Sequence, residues 1–149
     1  MGGVVVVLII LAIVAFLGWQ FAEGKRALAT TQVESRYTPE ETAQIVDGAF
    51  GGARSVLWAN TSGPGTINKR RRGYRGGIRM SIDIEPSPDG GSRVNMWASE
   101  HLEYLVFLVN FAGVVNRRKR AIARLLAEPN SLRSARGAGD QPVSGHRAR

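Results

Sequence analysis

Ile78-Arg-Met-Ser-Ile-Asp-Ile-Glu85, then Pro86-Ser-Pro-Asp-Gly-Gly-Ser92, then Arg93-Val-Asn-Met-Trp-Ala-Ser99, is the stretch whose reading decides the fold. Ile78, Met80, Ile82 and Ile84 alternate with Arg79, Ser81, Asp83 and Glu85, the period-two pattern of a strand with one buried face. The segment between the two runs is rich in Pro, Asp, Gly and Ser, the residues that turns require. Pairing Glu85 with Arg93 sets Ile84 against Val94, Ile82 against Met96 and Met80 against Ala98, and brings Asp83 beside Asn95. A single register satisfies both faces, which predicts an antiparallel hairpin.

Toward the amino terminus, Ser55-Val-Leu-Trp-Ala-Asn60 reads as a third strand, closed by Thr61-Ser-Gly-Pro-Gly65. Thr38-Pro39-Glu40-Glu41 carries a capping residue, a proline suited to the first helical position and a glutamate at capping-box spacing. Ala43, Ile45, Val46, Ala49 and Phe50 continue it as a short helix that ends at Gly51-Gly52. On the carboxyl side, Glu100 to Glu128 reads as one long helix stopped by Pro129. Its apolar run from Tyr104 to Val115 is only 12 residues, too short to cross a bilayer. The helix is expected to pack across the sheet, with a position on the bilayer surface as the alternative.

Val4 to Ala22 forms 19 residues without a charge. As a helix it reaches roughly 28 Å, close to the hydrocarbon thickness of a bilayer, and Trp19 stands where an interfacial aromatic is expected. A cleaved signal peptide competes with an anchor, but Met1-Gly-Gly lacks a basic side chain, and the nearest small-x-small site, Ala27-Leu28-Ala29, lies beyond Lys25-Arg26. The anchor is the better reading. Lys25, Arg26 and Arg36 follow the span closely, so the positive-inside rule puts the amino terminus outside and the domain in the cytoplasm, at the plasma membrane. The expected organisation is an anchor at 1–22, a linker at 23–37 that also reads as a helical continuation, a basic domain at 38–128 and a disordered tail at 129–149. The fold class is α+β: a transmembrane helix, a short helix, a three-stranded, mainly antiparallel sheet and a long carboxyl-terminal helix.

Twenty Lys+Arg against twelve Asp+Glu give the 149-residue chain a net charge of +8. The charge is unevenly placed: residues 1–68 carry four basic and five acidic side chains, residues 69–128 twelve and six, and the tail four and one. One cluster is Lys69, Arg70, Arg71, Arg72, Arg75 and Arg79, in a loop entering the hairpin. The other is Arg117, Arg118, Lys119 and Arg120, with Arg124 beyond, on the long helix. These two clusters are the candidate anion-binding residues. The expected partners are anionic lipid headgroups or an acidic protein surface, against which each basic side chain near a membrane gains about 1 kcal/mol. Arg70-Arg-Arg-Gly-Tyr74-Arg-Gly-Gly also resembles an arginine–glycine RNA-binding segment, in one short copy, which keeps a nucleic-acid partner as an alternative.

Catalysis finds little support. With no cysteine and two histidines, thiolate and multi-histidine metal sites are excluded, and no metal or other cofactor is expected. Gly63-Pro-Gly-Thr-Ile-Asn-Lys69-Arg70 departs from a phosphate loop at Asn68 and Arg70 and precedes a strand, not a helix. His101 suits a helix start better than a general base. The expected protein is a non-catalytic interaction module.

At Gly63-Pro-Gly, Asn68-Lys-Arg-Arg-Arg, Met80-Ser-Ile-Asp-Ile-Glu, Asn95-Met-Trp-Ala-Ser and Asn110-Phe-Ala-Gly-Val-Val-Asn-Arg-Arg-Lys, the chain resembles uncharacterised single-pass membrane proteins of GC-rich actinobacteria. The resemblance covers roughly residues 36–128 and implies no activity. The helix–sheet–long-helix order is also similar to a truncated helix-grip domain, which implies a pocket for a hydrophobic ligand. The strands are too few for a complete one.

Overall fold

The computed structural model describes residues 2–52, 55–73, 77–101, 103–104, 108–109 and 111–128. Helix α1 (Gly2–Leu28) leads to strand β1 (Thr31–Ser35), helix α2 (Pro39–Gly48), a single 3-10 turn (Ser55–Leu57) and strands β2 (Trp58–Asn60) and β3 (Ile67–Arg71). Strands β4 (Ile78–Pro86) and β5 (Ser92–Glu100), the short strands β6 (Glu103–Tyr104) and β7 (Leu108–Val109), and helix α3 (Ala112–Ala127) complete the order. The class is α+β, as the sequence predicts.

The β4–β5 hairpin lies within the sheet in the predicted register, with Glu85 opposite Arg93, Ile84 opposite Val94, Ile82 opposite Met96 and Met80 opposite Ala98. Ile78, Met80, Ile82, Val94 and Met96 are fully buried beneath the helices. Burial of each such side chain contributes about 1.5–3 kcal/mol, so this face carries much of the core. At the turn, Gly90 adopts φ 82°, and the Ser87 N–H donates to the Gly91 carbonyl at 2.9 Å. Helix α2 begins as its capping box foretells, the Glu41 N–H donating to Thr38 Oγ1 and the Thr38 N–H to the Glu41 carboxylate.

Three expectations are corrected. The sheet has five strands, in the order β1-β5-β4-β3-β2, each paired antiparallel with its neighbour. The two additional strands are polar sequences: β1 (Thr-Gln-Val-Glu-Ser) holds one apolar side chain, and β3 (Ile-Asn-Lys-Arg-Arg) ends in three cations. Of residues 23–37, expected as a helical continuation or a linker, the first six continue α1 to Leu28, and Thr31–Ser35 form strand β1 where no strand was expected.

The expected helix from Glu100 to Glu128 starts only at Ala112, preceded by an antiparallel pairing of Glu103 with Val109 and of Tyr104 with Leu108. A run that is apolar on every side has no stripe to favour a helix, and the Tyr and Val of the two short strands suit extended structure. Phe111 then takes a left-handed φ of 61° at the helix start. The tail at 129–149 and Arg75 lie outside the described residues.

All three helices meet one face of the sheet, and the polar residues Glu34, Arg93, Asp83, Arg70 and Glu100 lie on the other. Glu23 of α1 meets Asn116, while the carbonyls of Arg26 to Ala29 meet Lys119, so the end of α1 runs beside α3 in the same direction. Two glycines test the backbone. Gly52 has φ 79° with open space around it, whereas Gly77 has φ 70° and an added Cβ would collide with the Arg71 carbonyl. In thermal denaturation of the detergent-solubilised chain, Gly52→Ala is expected to cost about 1–2 kcal/mol, and Gly77→Ala distinctly more.

Candidate functional site

Two features converge on α3: its junction with α1, and a cationic groove on its outer side. The large apolar side chains from Val4 to Phe21 are exposed, and among the described residues α1 is one helix long and apolar enough to cross a membrane. The same helix continues without a break into the domain, where Glu23 and Ala27 are buried. Asn116 Nδ2 donates to the Glu23 carbonyl at 2.9 Å and to its carboxylate at 2.8 Å.

Lys119, 3% exposed, directs its ammonium to the carbonyls of Arg26, Ala27 and Ala29 at 3.1, 3.0 and 2.7 Å. A helix ends with carbonyls that lack partners and with the negative pole of its dipole, and a cation answers both. Burial opposes the charge and lowers the pKa of Lys119 to about 8.

The first predicted cluster is dispersed by the alternation of β3. Lys69 turns inward, 7% exposed, and binds Asp47 of α2 and Asn60 of β2 while passing over the Phe50 ring. Arg70 turns outward, opposite Arg79 across the β3–β4 ladder. Glu100 lies between these like charges, 2.6 Å from Arg70 and 3.1 Å from Arg79. The Arg70 hydrogen bond holds the Glu100 carboxyl below its ordinary range, with the charges of Arg70 and Arg79 assisting. Arg79 also donates to Ser99 Oγ and to the Ser62 carbonyl. Arg71 turns inward again, its guanidinium over the Phe111 ring, and Arg72 is exposed.

The second cluster is dispersed by helical geometry. Arg118 reaches the Ala49 carbonyl and stacks over Phe50, Lys119 points to α1, and Arg117 and Arg120 are exposed. Arg124, also exposed, stands seven positions after Arg117, on the same side of the helix.

These placements leave a groove of about 580 Å³ between α3 and the strand end at β2 and β3, lined by Arg71, Arg117, Arg118, Arg120 and Arg124. Leu57, Trp58, Val114 and Ala121 give it an apolar wall, and no carboxylate lines it among the described residues. Arg71 Nε is buried without a hydrogen-bond partner among the described residues. The sequence offered five of these features as local cationic runs or helical spacing. It gave no sign that Trp58, Leu57 and Phe111 would meet Arg71, because those contacts join segments far apart in the chain.

Among the described residues, no group of three or more His, Asp and Glu side chains is arranged to hold a metal ion. No protein-family model, no curated protein and no solved structure matches the chain.

The junction predicts a pH signature. An ordinary lysine titrates near 10.5 and Lys119 near 8 in the fold, so between those values the unfolded chain binds more protons and stability rises with pH. Below pH 8 both forms are protonated and this contribution is constant. Subtracting the unfolding free energy of Lys119→Met from that of the wild type should give a curve that is flat below pH 8 and climbs toward pH 10.5. A difference independent of pH over that interval would exclude a depressed Lys119.

Proposed function

We propose that this chain is a membrane-anchored, non-catalytic interaction protein whose basic domain engages anionic lipid headgroups at the bilayer surface. The observation that carries the proposal is the physical continuity of the two parts. The apolar helix is not followed by a flexible tether but ends inside the domain, beside the arginine-bearing helix α3. The continuity also favours an anchor over a cleaved signal. Scission near Ala27 would cut through a buried turn and release the carbonyls that Lys119 holds.

Not all ten predicted cations serve this role equally. Lys69, Arg70, Arg71, Arg79, Arg118 and Lys119 are engaged within the protein and Arg75 lies outside the described residues, which leaves Arg72, Arg117 and Arg120 as exposed charges for an anionic surface. Each contributes about 1 kcal/mol against an anionic leaflet, decaying within a Debye length. The anchor keeps the domain within that range, so modest individual contacts act together. The cations Lys25, Arg26 and Arg36 after the span argue for a cytoplasmic domain at the plasma membrane, with the amino terminus outside.

Two measurements test the proposal. With the full chain in nanodiscs, phosphatidylglycerol in place of part of the phosphatidylcholine should slow backbone hydrogen exchange in α3, and Arg72→Glu, Arg117→Glu and Arg120→Glu together should abolish the slowing. Equal exchange in both lipids would refute lipid engagement. For orientation, the chain contains no native cysteine. Ser144→Cys should resist a membrane-impermeant thiol reagent in intact cells and react after permeabilisation, and labelling of intact cells would reverse the assigned topology.

A further inference from the structure

We infer that the groove between α3 and the β2–β3 edge is a binding site for a phosphate group carried on a larger body, such as a glycerol phosphate or a phospholipid headgroup. The inference deepens the lipid-surface reading, on which it rests for the second of its two possible phosphate sources.

Arg71, Arg117, Arg120 and Arg124 line one concavity of about 580 Å³, and no carboxylate is among its described lining residues. Elsewhere in the domain like charges are neutralised from within: Glu100 divides Arg70 from Arg79, and Asp47 meets Lys69. In the groove no described lining residue supplies the opposite charge. Guanidinium groups that share a recess repel one another, and an anion bound between them removes the repulsion.

Arg71 adds a specific donor. Its position at the end of β3 turns it to the helix-covered face, in one row with Trp58 and Ile78. The Phe111 ring lies beneath it at 5.2 Å, and its buried Nε has no acceptor among the described residues. Phe111 itself holds a left-handed backbone, and its ring packs so closely on Gly73 that a Cβ there would not fit. A strained residue thus fixes the orientation of an arginine whose donor is unspent, a combination associated with ligand sites. Guanidinium forks match phosphate oxygens in pairs, which selects phosphate over a lone halide.

The groove exceeds a single inorganic phosphate and falls in the ordinary range of small-ligand pockets. Its apolar wall at Leu57 and Trp58, with Leu57 43% exposed and Val56 73% exposed beside it, suits a phosphate bearing carbon. The recess is not a generic polyanion surface, because Arg72 lies outside its lining.

The test uses the full chain in phosphatidylcholine nanodiscs, titrated with sn-glycerol 3-phosphate and followed by calorimetry and by the thermal midpoint. Saturable binding is expected, weakened at least about tenfold for each arginine lost in Arg117→Gln and Arg124→Gln, the strength of a charge-assisted hydrogen bond. Both side chains are exposed, so the variants should fold, as circular dichroism would verify. Arg71→Gln should weaken binding as well, and Arg93→Gln, on the opposite face of the sheet, should leave it unchanged.

Repeating the titration in phosphatidylglycerol nanodiscs identifies the source. A fall in apparent affinity assigns the groove to a lipid headgroup, and an unchanged affinity assigns it to a soluble phosphate compound. Absence of saturable binding in both lipids, or equal binding by the wild type and the Arg117→Gln/Arg124→Gln variant, would overturn the site. If slowed exchange in α3 persisted with the groove empty, the phosphate site alone would fall. Loss of both signals would remove the lipid reading too.

Discussion

The ammonium of Lys119 at the end of α1 is the interaction on which the arrangement depends. Three carbonyls that an α-helix cannot satisfy internally converge on it, the buried one from Ala27 and two half-buried ones from Arg26 and Ala29. Without a donor each would incur the cost of a buried polar group, of order 1–3 kcal/mol. With it, the helix can end in the interior and the chain can turn directly into β1 at the sheet edge. Asn116, one turn earlier on α3, fixes Glu23 on the same seam. The far end of α3 is closed in a similar way, Tyr37 donating its hydroxyl proton to the Glu128 carbonyl and Arg36 lying at the Ala127 carbonyl. Both helices are thus stopped by side chains remote in sequence, which binds the amino-terminal helix, the first strand and the last helix into one unit.

The same economy explains why a block of basic residues is a poor guide to a basic surface. On a strand, three successive cations go in, out and in. Lys69 and Arg71 accordingly lie on the apolar face, and only Arg70 reaches the open one. On a helix, four successive cations cover more than a full turn. Arg118 thereby meets α2, Lys119 meets α1, and Arg117 and Arg120 remain outside. Secondary structure sorts a charged run into members with structural duties and members free to meet an anion.

What the sequence disclosed follows from where the information lies. The β4–β5 register was legible because Ile84, Ile82 and Met80 have partners a few residues away across a turn, and only one pairing buries them all. The start of α2 was legible because its capping box is contained within four residues. Strands β1 and β3 were not, since their burial comes from neighbours: β1 is completed by β5, and the inward cations of β3 are accepted by Asp47 and by the Phe111 ring. The extended segment before α3 was hidden because an apolar run carries no period to distinguish strand from helix. For the groove, Arg117 and Arg124 were already aligned by spacing, while the Arg71–Phe111 contact is a tertiary fact with no local trace.

If α1 spans the bilayer as proposed, its unbroken passage into the domain has a mechanical consequence. A rigid rod that leaves the bilayer without a hinge transmits its inclination to whatever is clamped to its end. Transmembrane helices commonly tilt by about 20°, and the segment from Glu23 to Leu28 extends roughly 8 Å beyond the apolar run. Sideways travel at that point is only about 3 Å, but the whole sheet pivots by the full angle. Bilayer thickness, by setting the tilt, therefore sets the attitude of the domain: a thinner membrane would roll one flank of the sheet toward the lipid and lift the other away.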